Sequence, residues 1–482
     1  MPTRPTITQL EIEKGLCDVG LKQGDVVLLH SSVWSLGVVD GSPQAVIDAF
    51  FAVLGEAGTL AVPAFGDFGV LSNLVRNDPR ATQSAQQPGR IAAVGPHAAA
   101  LCRNHELAET AHGKDTPYTR IADLGGYVCL LGVDQDRNTT LHTPEALLEL
   151  PYLDNKPFDI PSDDGSTHTR TFKHYPGPHR DFIGIDRRLR DAGVVKTARI
   201  GRAVVRLMQS RELIAYCLEA GRQEPAFVLC DNPNCPDCVT QRAALRRHRF
   251  SSEQFVLGAS SCLAGRYVPE MIENLEKCGL GYIELDLLQG KPLQGANEQV
   301  LRSAIEQLRK SDITITALRC SSLPEEPQIL CELASNLQIP RLIVPLSTDA
   351  KRTIDAARAK GIAISLCNVI HSSATVHDLL SDFEDVGLTF SPCGFTRNGE
   401  KPFLKSLKAS KARRYIDQLD IEDCLFDGTP TALCHGNAEI KELVSVLRCG
   451  GFDGTFVLSI NNRNVGNLTQ IVDQFETLLD SV

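Results

Sequence analysis

Eight short apolar runs, each followed by an amphipathic helical pattern, repeat through the second half of this chain. The runs are FVLGAS, YIELDLL, ITITALRC, RLIVPLS, IAISLCNVI, LTFSPCGF, IEDCLF and GTFVLSI. Segments such as VPEMIENLEKCG, NEQVLRSAIEQLRKS and NAEIKELVSVLRCGG lie between them. Several of these end in Gly, the residue that most readily caps a helix C-terminus. Eight buried strands, each followed by a helix, predict a closed (β/α)8 barrel, normally one domain of ~250 residues. An open doubly wound sheet rarely needs eight such regular units.

The chain has 482 residues, so a second domain must precede the barrel. The polar, Arg-rich segment QRAALRRHRFSSEQ divides the two patterns. This predicts domains over residues 1–249 and 250–482. The first half reads as α/β. It opens with the helix ITQLEIEKGLCDVG and the strand VVLLHSS. The helix SPQAVIDAFFAVLG, the strand TLAVPAF, the helix GPHAAALCRNH, the strand YVCLLGV and the helix TPEALLEL follow. Long loops between them are free to build a site.

The net charge of −10 disfavours broad binding to nucleic acid or anionic membrane. Arg242, Arg246, Arg247 and Arg249 are a local exception, read as a solvated helix face or linker. No run approaches the ~18 apolar residues of a membrane span. The start, MPTRPTITQLEIEK, has no apolar core of a secretory signal. The expected location is cytoplasmic, and the 16 cysteines are expected to be reduced thiols. Cys129, Cys217, Cys278 and Cys331 stand singly in apolar runs, as small core residues do.

Three places in the first half carry chemistry. The strand VVLLHSS ends in His30, Ser31 and Ser32, and a loop with Gly37 and Gly41 leads to a helix with Ser42 as N-cap and Pro43 in its first turn. Backbone N–H groups there would suit an anion such as a pyrophosphate, although an ordinary strand–helix turn explains the pattern equally. Further on, His142 opens a helix, with Asp136 six residues before it and Glu145 three after. A histidine with a carboxylate partner is the minimal general base. A helix-start histidine beside a capping Glu145 is the plainer reading. Finally, Cys230, Cys235 and Cys238 form C-x4-C-x2-C. A structural zinc needs a fourth ligand, for which His248 and Cys262 are candidates; a reduced Cys-rich linker is the alternative.

Taken in order, these stretches resemble the aminoglycoside 3-N-acetyltransferase family (antibiotic N-acetyltransferases). The match runs from LLHSSVWSLGVVDGSPQAVIDAF, through GPHAAALCRNHELAETAHGKDTPYTRIADLGGYVCLLGVDQDRNTTLHTPE, to DFIGIDRRLRDAGVVKTARIGRAVVRLMQSRELIAYC. It covers Leu21 to Leu218. The resemblance implies acetyl transfer from acetyl-CoA to an amine, on an amino sugar or aminoglycoside-like acceptor. It implies that His142, in N-T-x-x-H-x-x-E, is the general base, that Asp136 supports it, and that Asp181 is an acidic residue of the acceptor site. Ser31, Ser32, Val33, Leu36 and Val38 match the loop that lines the CoA arm. The chain departs from the family where ATQSAQQPGRIAAVGPHAAA stands in place of a His-Pro-x-x-Ser stretch. The resemblance therefore speaks for acyl transfer more strongly than for antibiotic resistance through any given acceptor.

The barrel is similar to the sugar phosphate isomerase/epimerase (xylose isomerase-like) family in GYIELD, GIAISLCN, VGLTFSPCG and GGFDGTFVLS. That family binds a divalent metal at strand ends. The corresponding positions fall on Cys367, Ser391, near Cys424 and Ser459. These are poor ligands for a hard cation, so the barrel is expected to be metal-independent. Glu284, Asp286 and Asp427 remain as candidates for a polar ligand. Two other roles stay open: a non-catalytic scaffold built from two degenerate enzyme folds, or a barrel retaining metal-free sugar isomerase or lyase activity. A fused sugar-enzyme-like barrel tilts the expected setting towards carbohydrate or natural-product biosynthesis.

Overall fold

The strand Val26–Ser31 is buried over its first five residues, VVLLH. A strand apolar on both faces belongs inside a sheet covered on both sides. In the structure, a computed structural model describing residues 6–86, 88–161, 166–177, 179–293, 297–408 and 411–482, it pairs in parallel with Thr59–Pro63 on one side and Tyr127–Leu131 on the other. These three form the centre of a mixed seven-stranded sheet. Ile91–Val94 and Thr82–Gln83 extend one edge, and Ala203–Gln209 and Val195–Ile200 the other, all antiparallel. Alternate residues feed two cores. Val27 and Leu29 pack with Ile12, Leu16, Phe50 and Leu71 from the helices Gln9–Val19, Gln44–Leu54 and Val70–Arg76. Val26 and Leu28 pack with Leu101, Tyr118 and Ile121 from Ala98–Cys102 and Pro117–Asp123.

Local chemistry sets the helix ends. Thr8 and Glu11 form a reciprocal capping box at the start of Gln9–Val19, and Gly20 ends it with φ 117°. Ile7, expected inside that helix, instead lies in a short strand paired with Val39. Pro43, not Ser42, is the N-cap of Gln44–Leu54, because Ser42 adopts φ 115°. One feature was not expected: an antiparallel hairpin of Asp154–Pro161 and Thr167–His174. Its strands are largely polar, so they carry no buried-strand signature.

The chain divides into two compact units, Met1–Gln241 and Arg242–Val482. The division falls inside the helix Pro236–Ser251, which also contains the position expected for the boundary.

The second unit is a closed barrel of eight parallel strands. They are Val256–Ser260, Tyr282–Leu285, Thr314–Arg319, Arg341–Pro345, Ala363–Cys367, Gly387–Phe390, Ile416–Ile421 and Thr455–Leu458, the last pairing with the first. Seven lie within the expected runs or within a residue of them. The seventh does not: it is IDQLDI, five residues before the expected IEDCLF. The residue that directly follows the seventh strand is therefore Glu422, not Cys424.

The barrel interior is charged. Arg319 donates to Glu284 Oε1 at 2.9 Å, to Asp420 Oδ2 at 2.6 Å and to Cys367 Sγ at 3.0 Å. Gln418 Nε2 donates to Glu284 Oε2 at 2.6 Å. Glu284 is thus locked inside the barrel rather than free at its mouth. Asp286 is also engaged, accepting from Ser261 Oγ at 2.6 Å and Cys262 N at 2.9 Å. Asp427 is a turn residue, accepting from Thr429 N at 2.8 Å. Arg246 donates to Glu476 at 2.8 Å and also pairs with Asp473, while Arg249 pairs with Asp480. That face is neutralised by the final helix, Leu468–Asp480. Among the described residues, no helix is long and apolar enough to cross a membrane.

Candidate active site

The strand Tyr127–Leu131 ends in a polar loop, Asn138 caps the turn Thr139–Leu141, and His142 opens the helix His142–Leu147. His142 Nδ1 lies 2.6 Å from Glu145 Oε2. The i,i+3 spacing places both on one helix face. The other oxygen, Glu145 Oε1, accepts from Tyr152 Oη at 2.8 Å and Arg180 Nε at 2.6 Å. Glu145 is fully buried. Burial alone would raise its pKa, but His142 and Arg180 outweigh burial and hold the carboxyl below its ordinary range. Burial lowers the pKa of His142, and Glu145 opposes that shift only in part. The imidazole is therefore neutral near pH 7. With Nδ1 engaged, Nε2 is the nitrogen left to accept a proton.

Aromatic rings fix the imidazole. Tyr175 stacks on His142 with centroids 3.7 Å apart and an interplanar angle of 6°, and Phe182 meets it edge-on at 4.9 Å. His112 lies 5.3 Å away, its Nε2 buried without a hydrogen bond. Thr110, His112, His142, Lys173, His174 and Tyr175 line a small pocket. Tyr175 and Arg180 come from the segment after the hairpin, more than thirty residues from His142, so no local motif links them to it.

The other expected site residues fall as follows. Asp136 is not the partner of His142: its half-exposed carboxylate pairs with Arg137 at 3.3 Å. Asp181 is the N-cap of Phe182–Asp191, accepting from Gly184 N at 3.1 Å. Ser31 ends its strand, and Ser32 N donates to Leu131 O at 2.9 Å. Val33 begins the short helix Val33–Leu36, and Val38 pairs with Thr6. Leu36 is buried in the core, so its side chain is not open to a ligand. Trp34, in the same short helix, is 91% exposed. In the stretch expected to depart from the family, Ser84 Oγ bonds His105 Nδ1 at 3.0 Å.

Residues 28–67 and 66–220 match the family described as aminoglycoside 3-N-acetyltransferase. Aminoglycoside N(3)-acetyltransferase IV of Salmonella sp is 30% identical over 230 residues, covering 44% of this chain and 87% of that protein. The chain belongs to the aminoglycoside 3-N-acetyltransferase family. Aminoglycoside N(3)-acetyltransferase IX of Micromonospora chalcea is 31% identical over 248 residues, covering 41% of this chain and 87% of its own. The crystal structure of apo AAC(3)-IVa aligns over 49% of this chain and 97% of that one, at 29% identity and a TM-score of 0.46. This aminoglycoside 3-N-acetyltransferase family member is accordingly an acyltransferase.

Proposed function

We propose that the first unit transfers an acetyl group from acetyl-CoA to an amine of an amino sugar or aminoglycoside-like acceptor, with His142 as general base. The observation that carries this reading is the buried relay of Arg180, Tyr152, Glu145 and His142. A relay built only for stability gains little from a buried, charged Glu145. A relay that fixes the tautomer and steadies an imidazolium gains a working base.

In the reaction the amine nitrogen attacks the thioester carbonyl carbon. His142 Nε2 takes the proton that the nitrogen loses. The C–S bond then breaks, and the leaving thiolate takes that proton from the imidazolium. Glu145 stabilises the imidazolium in between, and Tyr175 holds the ring in place. Ser31, Ser32, Val33 and Val38 would line the CoA arm, with Trp34 beside them. Backbone N–H groups of that turn would meet the developing oxyanion. Asp181, at the helix start beside Phe182, is available to an ammonium group of the acceptor. The setting we infer is cytoplasmic, where thiols remain reduced.

The barrel is read as xylose isomerase-like and metal-independent, with Cys367, Ser391 and Ser459 at ligand positions and Glu422 directly after the seventh strand. A binding-only scaffold has less support, because the relay is complete.

The test is calorimetric binding of acetyl-CoA, followed by thiol release with a panel of amino sugars and aminoglycosides, repeated on His142→Ala. Turnover that disappears in the variant while acetyl-CoA still binds supports the proposal. No binding of acetyl-CoA or of longer acyl-CoAs would sink it.

A further inference from the structure

The three cysteines that follow the catalytic stretch in sequence do find a fourth partner. His179, Cys230, Cys235 and Cys238 bring one ligand atom each within 4.8 Å of all the others. His179 Nδ1 lies 3.3 Å from Cys238 Sγ and 3.4 Å from Cys235 Sγ. In tetrahedral zinc, with Zn–S near ~2.3 Å and Zn–N near ~2.0 Å, neighbouring N and S ligands stand ~3.5 Å apart. The fourth partner is neither His248 nor Cys262. His248 sits ten residues beyond Cys238 on the same helix, about 15 Å along its axis. Cys262 belongs to the barrel unit.

The surrounding backbone is folded for such a site. Cys235 N donates to Asn232 O at 3.0 Å and Asn234 N to Asn232 Oδ1 at 3.0 Å, closing a tight turn. Pro236 starts the helix, so Cys235 and Cys238 face one side, three residues apart. Cys230 N donates to Cys238 Sγ at 3.3 Å. Asp237 Oδ2 accepts from His179 N at 3.0 Å, steadying the histidine's own backbone.

We propose that His179, Cys230, Cys235 and Cys238 bind one zinc ion through Nδ1 and three Sγ atoms. Three thiolates and an imidazole suit zinc far better than magnesium or calcium. All four positions are filled by protein, so the site is structural. Its consequence reaches the base. His179 is followed directly by Arg180, and Arg180 Nη1 donates to His179 O at 2.8 Å. The same short segment, starting at Tyr175, stacks on His142 and grips Glu145. The ion would clamp this segment to residues 230–238. His179 is thus a metal ligand and, through Arg180, a positioning residue. This last step rests on His142 being the base; metal binding does not.

The full-length protein, purified without chelator, should hold close to one zinc per chain by elemental analysis. His179→Ala and Cys235→Ser should each lose it. His179→Cys should keep it, and Cys17→Ser, an exposed thiol elsewhere, should be unaffected. Cobalt substituted at the site should show the visible spectrum of a tetrahedral thiolate centre. In His179→Ala, kcat should fall with the KM for acetyl-CoA unchanged, and His179→Cys should restore it. A wild-type chain that takes up no zinc from micromolar solution in reducing buffer overturns the site. So does equal zinc in wild type, His179→Ala and Cys235→Ser. Stoichiometric zinc alongside an active His142→Ala variant would leave the metal site standing and remove the base.

Discussion

The eight-residue motif N-T-T-L-H-T-P-E singles out His142, and of the two carboxylates near it in sequence the structure brings Glu145, not Asp136, to the ring. Asp136 and Glu145 differ in what the sequence cannot display, namely burial. Asp136 is half exposed beside Arg137, whereas Glu145 is enclosed by His142, Tyr152 and Arg180. Glu145→Gln should therefore lower kcat about a hundredfold or more, while Asp136→Asn should change it little; initial-rate thiol release separates the two. Folding stability should also fall by about 3 kcal/mol in Glu145→Gln, since Arg180 is left buried without its counter-charge, and urea unfolding would read this. In wild type, activity should rise with pH through a limb below the ordinary histidine value of about 6.5, because burial lowers the His142 pKa. Removing the Glu145 charge takes away an opposing influence and should move that limb lower still. A limb above the ordinary value would contradict this electrostatic account. His30 makes a second acid-sensitive point. Burial at the end of the central strand lowers its pKa to about 3. The unfolded chain takes up a proton below about pH 6.5 and the folded site does not. Stability must then fall as pH drops from about 6.5 towards about 3, by about 2 kcal/mol at pH 5 from this residue alone. Comparing urea unfolding of wild type and His30→Asn at pH 5 and pH 7 should recover that difference. Equal pH dependence in the two proteins would show that His30 is not held neutral.

Elements whose side chains are buried on both faces announced themselves, and those with polar inward faces did not. Val26–Ser31 reads VVLLHS and was legible at once. Ile416–Ile421 reads IDQLDI, with Gln418 and Asp420 turned into the barrel, and it was missed in favour of the IEDCLF that follows. The hairpin Asp154–Pro161 and Thr167–His174 escaped for a different reason, its strands being largely polar and exposed, and with it went the approach of Tyr175 and Arg180 to His142. In the barrel the cause is Arg319, which needs carboxylates from the second and seventh strands at once. Arg319→Met should strand Glu284 and Asp420 as unpaired buried charges and cost about 3–5 kcal/mol at neutral pH. Burial already raises the pKa of Glu284, and Arg319 is the chief influence lowering it. Without the arginine the Glu284 carboxyl should protonate more readily. The deficit should therefore shrink at pH 5 relative to pH 8, read by urea unfolding at each pH. A deficit independent of pH would mean that the loss is one of packing rather than of charge.

Each unit closes its own hydrophobic core. One is built around Val27, Leu29 and Phe50 in the sheet, the other around Leu257, Leu285 and Phe456 in the barrel. This organisation was legible as a change of pattern, because a strand–helix repeat shows in any window long enough to hold two units of it. The acetyltransferase unit declares its chemistry in a linear motif, whereas the barrel's polar groups come from strands spread over more than a hundred residues and meet only when it closes. Two separate cores are expected to melt as two calorimetric transitions rather than one. Leu28→Ala removes a fully buried side chain from the sheet and should lower one transition, by about 3 kcal/mol of stability. Arg319→Met should lower the other. Because the proposed chemistry uses groups of the first unit alone, Arg319→Met should also leave acetyl-CoA binding unchanged at temperatures where the barrel stays folded. If both variants moved a single shared transition, the units would be one cooperative structure. If Arg319→Met abolished acetyl-CoA binding in the folded protein, the barrel would have to take part in the transferase site.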